Sequence, residues 1–279
     1  MVDPEILDHY GGGDEENRLT RSAGRLEWLR TWEIMQRYLP PGSARILDAG
    51  GGAGTYALPL SAQGHRVHLL DAVPLHVERA RTLSSASATP LVSADVGDAR
   101  RLEYADETFD AVLLLGPLYH LIDRGDRNAA LAEARRVLVR GGLLMCAYIS
   151  RFASALDGIL GGNLRDETFA GIVGRDLTNG IHLNRTRRPD WFTTAYFHRP
   201  DEVRPEIEEA GLIFEQLIAV EGPGWLHGEL DGLDAWLADD PQRERLLEIL
   251  RRVETEASLL GASAHMVSVA RRPGQTGGR

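Results

Sequence analysis

Apolar positions along the chain follow two rhythms. From residue 44 to about 150, short apolar runs punctuated by glycine or proline alternate with helical-period segments, the pattern of a parallel α/β unit. Strands are expected near 45–49, 66–71, 90–94, 109–115 and 142–149. Helices are expected near 54–63, 74–87 and 126–139, with Pro74 in the first turn of the second and Arg140-Gly141-Gly142 as a glycine stop to the third. Before this unit, Leu26, Leu29, Ile34 and Tyr38 predict a helix over 25–39 that Pro40-Pro41-Gly42 ends. After it, residues 151–200 break the alternation with Gly, Arg and aromatics where another helix was due. A helix near 201–210, a strand at 212–220, a helix at 233–258 and a last strand at 264–270 then resume it.

Composition narrows the chemistry. At 279 residues the chain can build one large domain with a cap, and its formal charge of −10 argues against a nucleic-acid partner and for a small, neutral or cationic one. No apolar run approaches the roughly 20 residues that span a bilayer, and Met1 to Asp8 lack the look of a signal peptide, so a cytoplasmic protein is expected. The single cysteine, Cys146, lies in an apolar run and reads as a core residue; disulfides and cysteine-based metal sites are excluded. All 31 basic residues are arginine, which excludes a phosphate-loop lysine, a Schiff base and a lysine general base.

The densest signal is Arg45-Ile-Leu-Asp-Ala-Gly-Gly-Gly-Ala-Gly54, followed by Val67-His-Leu-Leu-Asp71. It reads as strand, glycine turn, helix, strand, acid. Glycines at 50, 52 and 54 allow a tight turn and close approach of a ligand to backbone amides, and Asp71 can accept both hydroxyls of a ribose. A dinucleotide fingerprint needs G-x-G-x-x-G, and its sixth position here is Thr55, which disfavours a dehydrogenase. Asp48 would repel a pyrophosphate but can hold an ammonium. A ligand with a ribose at one end and a cationic amino acid at the other, such as S-adenosylmethionine, suits both acids.

With these residues in place the chain resembles class I S-adenosylmethionine-dependent methyltransferases. The resemblance covers about residues 44–150 through ILDAGGGAG, HLLD, VGDAR with FDAVLLLGPLYHL, and ARRVLVRGGLL, in that order. It implies a Rossmann-like α/β fold: a mostly parallel seven-stranded sheet with helices on both faces, an N-terminal lid and a cap insertion. The corresponding divisions are a lid at 1–43, the cofactor-binding core at 44–150, a substrate cap at 151–200, completion of the sheet at 201–271 and a disordered tail at 272–279. It also implies S-adenosylmethionine as cofactor, with Gly50, Gly51, Gly52 and Gly54 under its methionine and ribose, and Asp71 and Ala72 at the ribose. Asp98 would accept from the adenine amino group while the Ala99 amide donates to a ring nitrogen, Asp95 competing with Asp98 for that role. The Leu115 carbonyl would face the methionine ammonium, and Tyr10 would close over the cofactor from the lid.

Tyr119 and His120 follow the fourth strand at the carboxyl edge, where ligands of open α/β sheets bind. Methyl transfer is an in-line displacement, so alignment and exclusion of water dominate, and His120 is the candidate base if the acceptor must lose a proton. The alternative for His120 is a loop histidine that bonds a backbone carbonyl and shapes the pocket. Tyr119 can set its ring or hydroxyl against the sulfonium or pack on the cap. Glu16 and Arg18 are weaker candidates beside Tyr10. The aromatics Trp191, Phe192, Tyr196, Phe197 and His198, with Trp225 and His227, would line the acceptor pocket or glue the cap to the core, and they suggest a small, aromatic or indole-type acceptor methylated on O, N or activated C. No metal is expected: His65 and His68 point to opposite faces of a strand, and an iron site from His227, Glu229 and His265 lacks a supporting β-barrel. A non-catalytic protein that binds an adenosyl ligand is the remaining alternative.

Overall fold

The computed structural model describes Leu19, residues 22–186, Arg188, residues 191–230 and residues 232–274. Tyr10, Glu16, Arg18 and the final five residues lie outside the described residues. The chain enters through helix α1 (Ser22–Tyr38) and then alternates: β1 (Arg45–Ala49), α2 (Ala57–Ala62), β2 (Arg66–Asp71), α3 (Pro74–Ser85), β3 (Ser93–Val96) and β4 (Phe109–Leu114). A single-turn α4 (Pro117–His120), α5 (Arg124–Val137) and the long β5 (Leu138–Ser150) complete the first half. The cap follows as α6 (Ala153–Leu160), α7 (Glu167–Asn179) and a ribbon of β6 (Ile181–His182) and β7 (Ala195–His198). The chain then returns through α8 (Pro200–Glu209), β8 (Ile213–Ala219), α9 (Leu233–Ala238), α10 (Asp240–Val253) and β9 (His265–Arg271).

The central sheet runs β3-β2-β1-β4-β5-β9-β8, parallel as far as β5 and antiparallel at β9 and β8. This is the Rossmann-like order in which successive crossovers lead away from β1 on either side. Ile149 pairs with His265 on β9 and with Phe197 on β7, so β7 takes the flank of β5 that β4 has vacated. That pairing sets the cap over the carboxyl end of β4, where Tyr119 and His120 lie. One sheet face packs on α1, α2 and α3 through Ile34, Met35, Ala57, Leu60, Val77 and Ala80. The other packs on α5 and α8 through Leu131, Ala134, Val137, Val203 and Ile207. Cys146 is in this core, and burial pushes its thiol pKa up.

Three boundaries differ from the sequence reading for local reasons. The third strand begins at Ser93 rather than 90; Pro90, just before it, offers no amide to a ladder. The helix expected over 233–258 is two helices, because Asp239 accepts from the Gln242 amide and caps α10 with Pro241 in its first turn. The glycine stop at 140–142 is no stop: α5 ends at Val137, and Gly141 and Gly142 lie within β5, where the register against β4 jumps from Phe109↔Leu138 to Ala111↔Leu143. The glycines serve that bulge, since Gly141 sits at φ +75° and a Cβ on Gly142 would come 2.8 Å from the Val139 carbonyl.

Two buried ion networks lock the outer elements to the sheet. Arg30, fully buried on α1, donates to the Val220 carbonyl and to Glu254, which also receives Arg37. Arg127 on α5 donates to Glu206 on α8 and to the carbonyls of Leu121 and Ile122, with the Tyr196 ring beneath its guanidinium. Among the described residues, no helix is long and apolar enough to cross a membrane.

Candidate active site

A cavity of about 540 Å³ opens at the carboxyl edge of the sheet and extends from the Gly97–Arg100 loop to the N-terminal part of α1. Its middle is the glycine turn after β1. Gly50 has φ +83°, its amide donates to the Leu70 carbonyl at 2.6 Å, and a Cβ there would strike the Pro117 ring at 2.5 Å. Gly52 has φ +56°, and a Cβ there would meet nothing within 4 Å, so the turn presents bare backbone to the cavity. Gly51 and Gly54 complete the turn, and a side chain on Gly51 would fall 2.8 Å from the Asp48 carboxyl group.

Asp71, at the end of β2, organises the turn as well as walling the cavity. Its Oδ2 accepts from the Gly52 amide and its Oδ1 from the Val73 amide, each at 2.8 Å, with His76 Nδ1 3.3 Å from Oδ1. A carboxylate has about four lone-pair sites, so ribose hydroxyls remain compatible with these bonds. The sequence reading missed His76, although it is five residues after Asp71 and points back from the first turns of α3.

Asp48 shows the most unusual chemistry. It is 1 % exposed, it walls the cavity, and neither carboxylate oxygen has a hydrogen-bond partner. Burial, reinforced by the neighbouring Asp71 carboxylate, pushes its pKa up to about 7; the Ala57 amide offsets this only in part, without reaching hydrogen-bond geometry. A buried carboxylate without a partner is costly, and a cation in the cavity would relieve it.

Of the two acids considered for the adenine, Asp98 walls the cavity and Asp95 does not. Asp95 faces Arg81 on the outside of the sheet at 3.5 Å. Asp98 is gripped by Arg100, whose Nε and Nη2 reach both its oxygens, while the Arg100 amide also donates to it. These bonds hold the Asp98 carboxyl below the usual range. Arg100 reaches on to Asp126 at 2.6 Å and walls the cavity itself. The sequence reading missed this arginine; the signal was its place two residues after the acid.

Leu115, Tyr119 and His120 all wall the cavity, as do Ala72 and Ala99. The Tyr119 hydroxyl donates to the Leu115 carbonyl at 3.4 Å. His120 Nδ1 lies 3.3 Å from the Thr194 carbonyl of the cap, and its ring stacks on Phe192 at 6.1 Å. Among the described residues, Trp191, Phe192, Tyr196, Phe197, His198, Trp225 and His227 are not in the cavity wall. They hold the protein's own elements instead: within and beside the cap Trp191 packs on Phe169, Phe197 stacks on His182 and His198 bonds Glu206, and outside it Trp225 donates to the Ala262 carbonyl. For Tyr196, Phe197 and His198 the reason is topological, since β7 pairs with β5 and turns its side chains into the layers on either side.

The rest of the cavity wall is built by residues that carry no motif. Glu27 and Thr31 come from α1, Ala147 from β5, Val220 from the end of β8, and His265 and Val267 from β9. Behind His265, the buried Glu221 accepts from His265 Nδ1 at 2.6 Å, from the His265 amide and from the Ser263 hydroxyl. Glu27, Glu221 and His265 are also close enough to hold an ion together. The His227 ring packs against Trp236.

A family profile described as "Methyltransferase domain" matches residues 46–142. The ubiquinone biosynthesis O-methyltransferase of Methylocella silvestris is 36% identical over 182 residues, which is 62% of this chain and 62% of that protein. A probable tRNA methyltransferase 9B of Homo sapiens is 37% identical over 118 residues, 42% of this chain and 24% of the relative. The chain thus spans less than two thirds of the length of either relative. Among solved structures, an S-adenosylmethionine-dependent methyltransferase from Methanosarcina mazei superposes with a TM-score of 0.59 at 16% identity, covering 87% of this chain and 98% of that one. At that identity the likeness shows the fold.

Proposed function

The chain belongs to the class I S-adenosylmethionine-dependent methyltransferase family, and from that premise we propose that it methylates a small-molecule acceptor with S-adenosylmethionine as donor. The observation that carries this reading is Asp48: a buried, unpartnered carboxylate at the mouth of a bare-backbone turn calls for a ligand that brings an ammonium. When bound, the cofactor supplies an electrophilic methyl group on a sulfonium, which needs alignment more than activation.

In this proposal the chain's own residues divide the cofactor between them. Asp48 and the Leu115 carbonyl take the ammonium end, Gly50, Gly51, Gly52 and Gly54 admit the backbone to close contact, and Asp71 with Ala72 takes the ribose. Asp98 and the Ala99 amide take the adenine edge, and the Arg100 grip keeps Asp98 ionised and fixed. Tyr119 and His120 stand at the reacting end, His120 being anchored to the cap through Thr194. A ring held there can align an acceptor and keep water out.

A small acceptor is favoured over a nucleic acid by the charge of −10. The name of the Methylocella relative puts oxygen among the acceptor atoms, and that of the human relative makes tRNA the rival outcome. The aromatic or indole-type acceptor loses the wall on which it rested, because the cap aromatics face the core. Calorimetry with S-adenosylhomocysteine and with NAD tests the cofactor: micromolar binding of the first and none of the second is expected, and the reverse overturns the reading. Radiolabel transfer from S-adenosylmethionine to a small-molecule panel, set against unmodified tRNA, tests the acceptor class.

A further inference from the structure

We infer that His265, oriented by Glu221, is the general base of the acceptor site, and that the acceptor is a hydroxyl compound with an apolar body. The inference rests on the methyl-transfer reading above. Glu221 is 2 % exposed at its side chain and lies behind His265, which walls the cavity. Three groups fix that carboxylate: the Ser263 hydroxyl and the His265 amide on Oε2, and His265 Nδ1 on Oε1 at 2.6 Å. An imidazole that donates from Nδ1 to a buried carboxylate carries its lone pair on Nε2, the tautomer a general base requires.

The surroundings fit proton uptake. Glu221 from the loop after β8 and Glu27 from α1, its Oε2 3.6 Å from Nδ1, both close on the ring. Arg30, one turn beyond Glu27 on α1, is directed to Val220 and Glu254 instead. Both neighbouring carboxylates favour the imidazolium once it forms. Ala147, Val220 and Val267 give this end of the cavity an aliphatic floor.

A built base selects the acceptor chemistry. A neutral amine can attack first and lose its proton to water later, whereas a phenol with a pKa near 10 or an alcohol is a poor nucleophile until its proton leaves. In the step, the hydroxyl proton passes to Nε2 of His265 as the O–CH3 bond forms. The S–CH3 bond breaks with its electron pair on sulfur, leaving a methyl ether, a thioether and an imidazolium that returns its proton to water.

The test has a readout that needs no acceptor. Long-range proton–nitrogen NMR of histidine-labelled protein should show His265 protonated on Nδ1, and Glu221→Gln, which keeps the shape and loses the charge, should move its titration to lower pH by roughly one unit. An Nε2-protonated ring, a titration unmoved by the substitution, or capture of the ring by added cobalt(II) overturns the inference. With a panel of phenols, alcohols, amines and thiols, transfer to hydroxyl compounds is expected, and His265→Asn should cut it about 100-fold or more with unchanged S-adenosylhomocysteine affinity. Unchanged turnover in that variant, or no transfer to any hydroxyl, overturns it. If S-adenosylhomocysteine does not bind at all, the methyl-transfer reading falls; if it binds and the imidazole results fail, only this inference falls.

Discussion

At one end of the cavity the ligand-facing groups come from a continuous stretch, Asp48 to Asp126, and much of the surface they offer is backbone: the bare turn at Gly50–Gly52 and the loop at Gly97–Ala99. At the other end they come from Glu27, Val220 and His265, nearly the whole chain apart, and they are side chains brought together by α1 and the antiparallel pair β8 and β9. A turn that follows a strand is specified locally, by residues whose φ only glycine adopts easily, so it leaves a compact signature. A carboxylate set behind an imidazole is specified by tertiary packing. Any Glu and His at those distances in sequence would look the same.

The first way to break this comparison is to release α1, which supplies Glu27 and Thr31 to the cavity wall. Arg30→Met removes a fully buried guanidinium that ties α1 to Val220 and Glu254. Breaking a buried pair costs about 3–5 kcal/mol, and because Arg37 still holds Glu254, a loss near about 3 kcal/mol is expected in urea unfolding. Hydrogen exchange should rise in α1 while S-adenosylhomocysteine affinity of the folded fraction stays near normal. Equal loss of cofactor affinity would show that the two ends are one unit.

Asp71→Ala attacks the other end. The variant loses the two amide bonds that shape the turn and, with them, the proposed ribose contact, so S-adenosylhomocysteine should bind about 100-fold more weakly, or about 2–3 kcal/mol. Near-normal calorimetric affinity in a folded variant would remove Asp71 from the ribose site. Here the sequence was highly legible: the acid after the second strand, the three-glycine turn and both motif blocks around Asp98 and Tyr119 could be placed without coordinates. What could not be read was the company these residues keep. Arg100 on Asp98 and His76 on Asp71 follow from side-chain reach, and the cap aromatics were misplaced because composition does not say which layer a strand's side chains enter. His265 looked like one polar residue in a terminal strand, and nothing in its neighbours announced Glu221 behind it.

Asp48 gives a smaller effect with a distinctive sign. Its pKa is about 7 in the fold against 3.8 as the ordinary value, so between those pH values the native state binds the extra proton and stability falls as pH rises, levelling off above about 7. The full shift corresponds to about 4 kcal/mol, of which a buried Asn amide without partners returns part, so Asp48→Asn should stabilise the ligand-free protein at pH 8 by about 1–2 kcal/mol. Cofactor affinity should move the opposite way, rising with pH through 7 in the wild type and losing that dependence in the variant. A stabilised variant that binds the cofactor normally would assign the unpartnered carboxylate to something other than the ammonium.

The finest division concerns His120, which borders both ends. Its Nδ1 is committed to the Thr194 carbonyl and its face to Phe192, so two of its contacts belong to the cap, while its place after β4 belongs to the motif. If the ring aligns the acceptor without moving a proton, His120→Ala should slow turnover by about fivefold, near 1 kcal/mol, far less than the 100-fold expected of a general base. The pH profile separates the cases where the size alone does not: loss of an aligning ring lowers the whole curve and leaves its acid limb in place, whereas loss of the base abolishes that limb. A vanished acid limb in His120→Ala with an intact one in His265→Asn would move the proton transfer to the motif end, and the chemistry would then have been readable from the sequence after all.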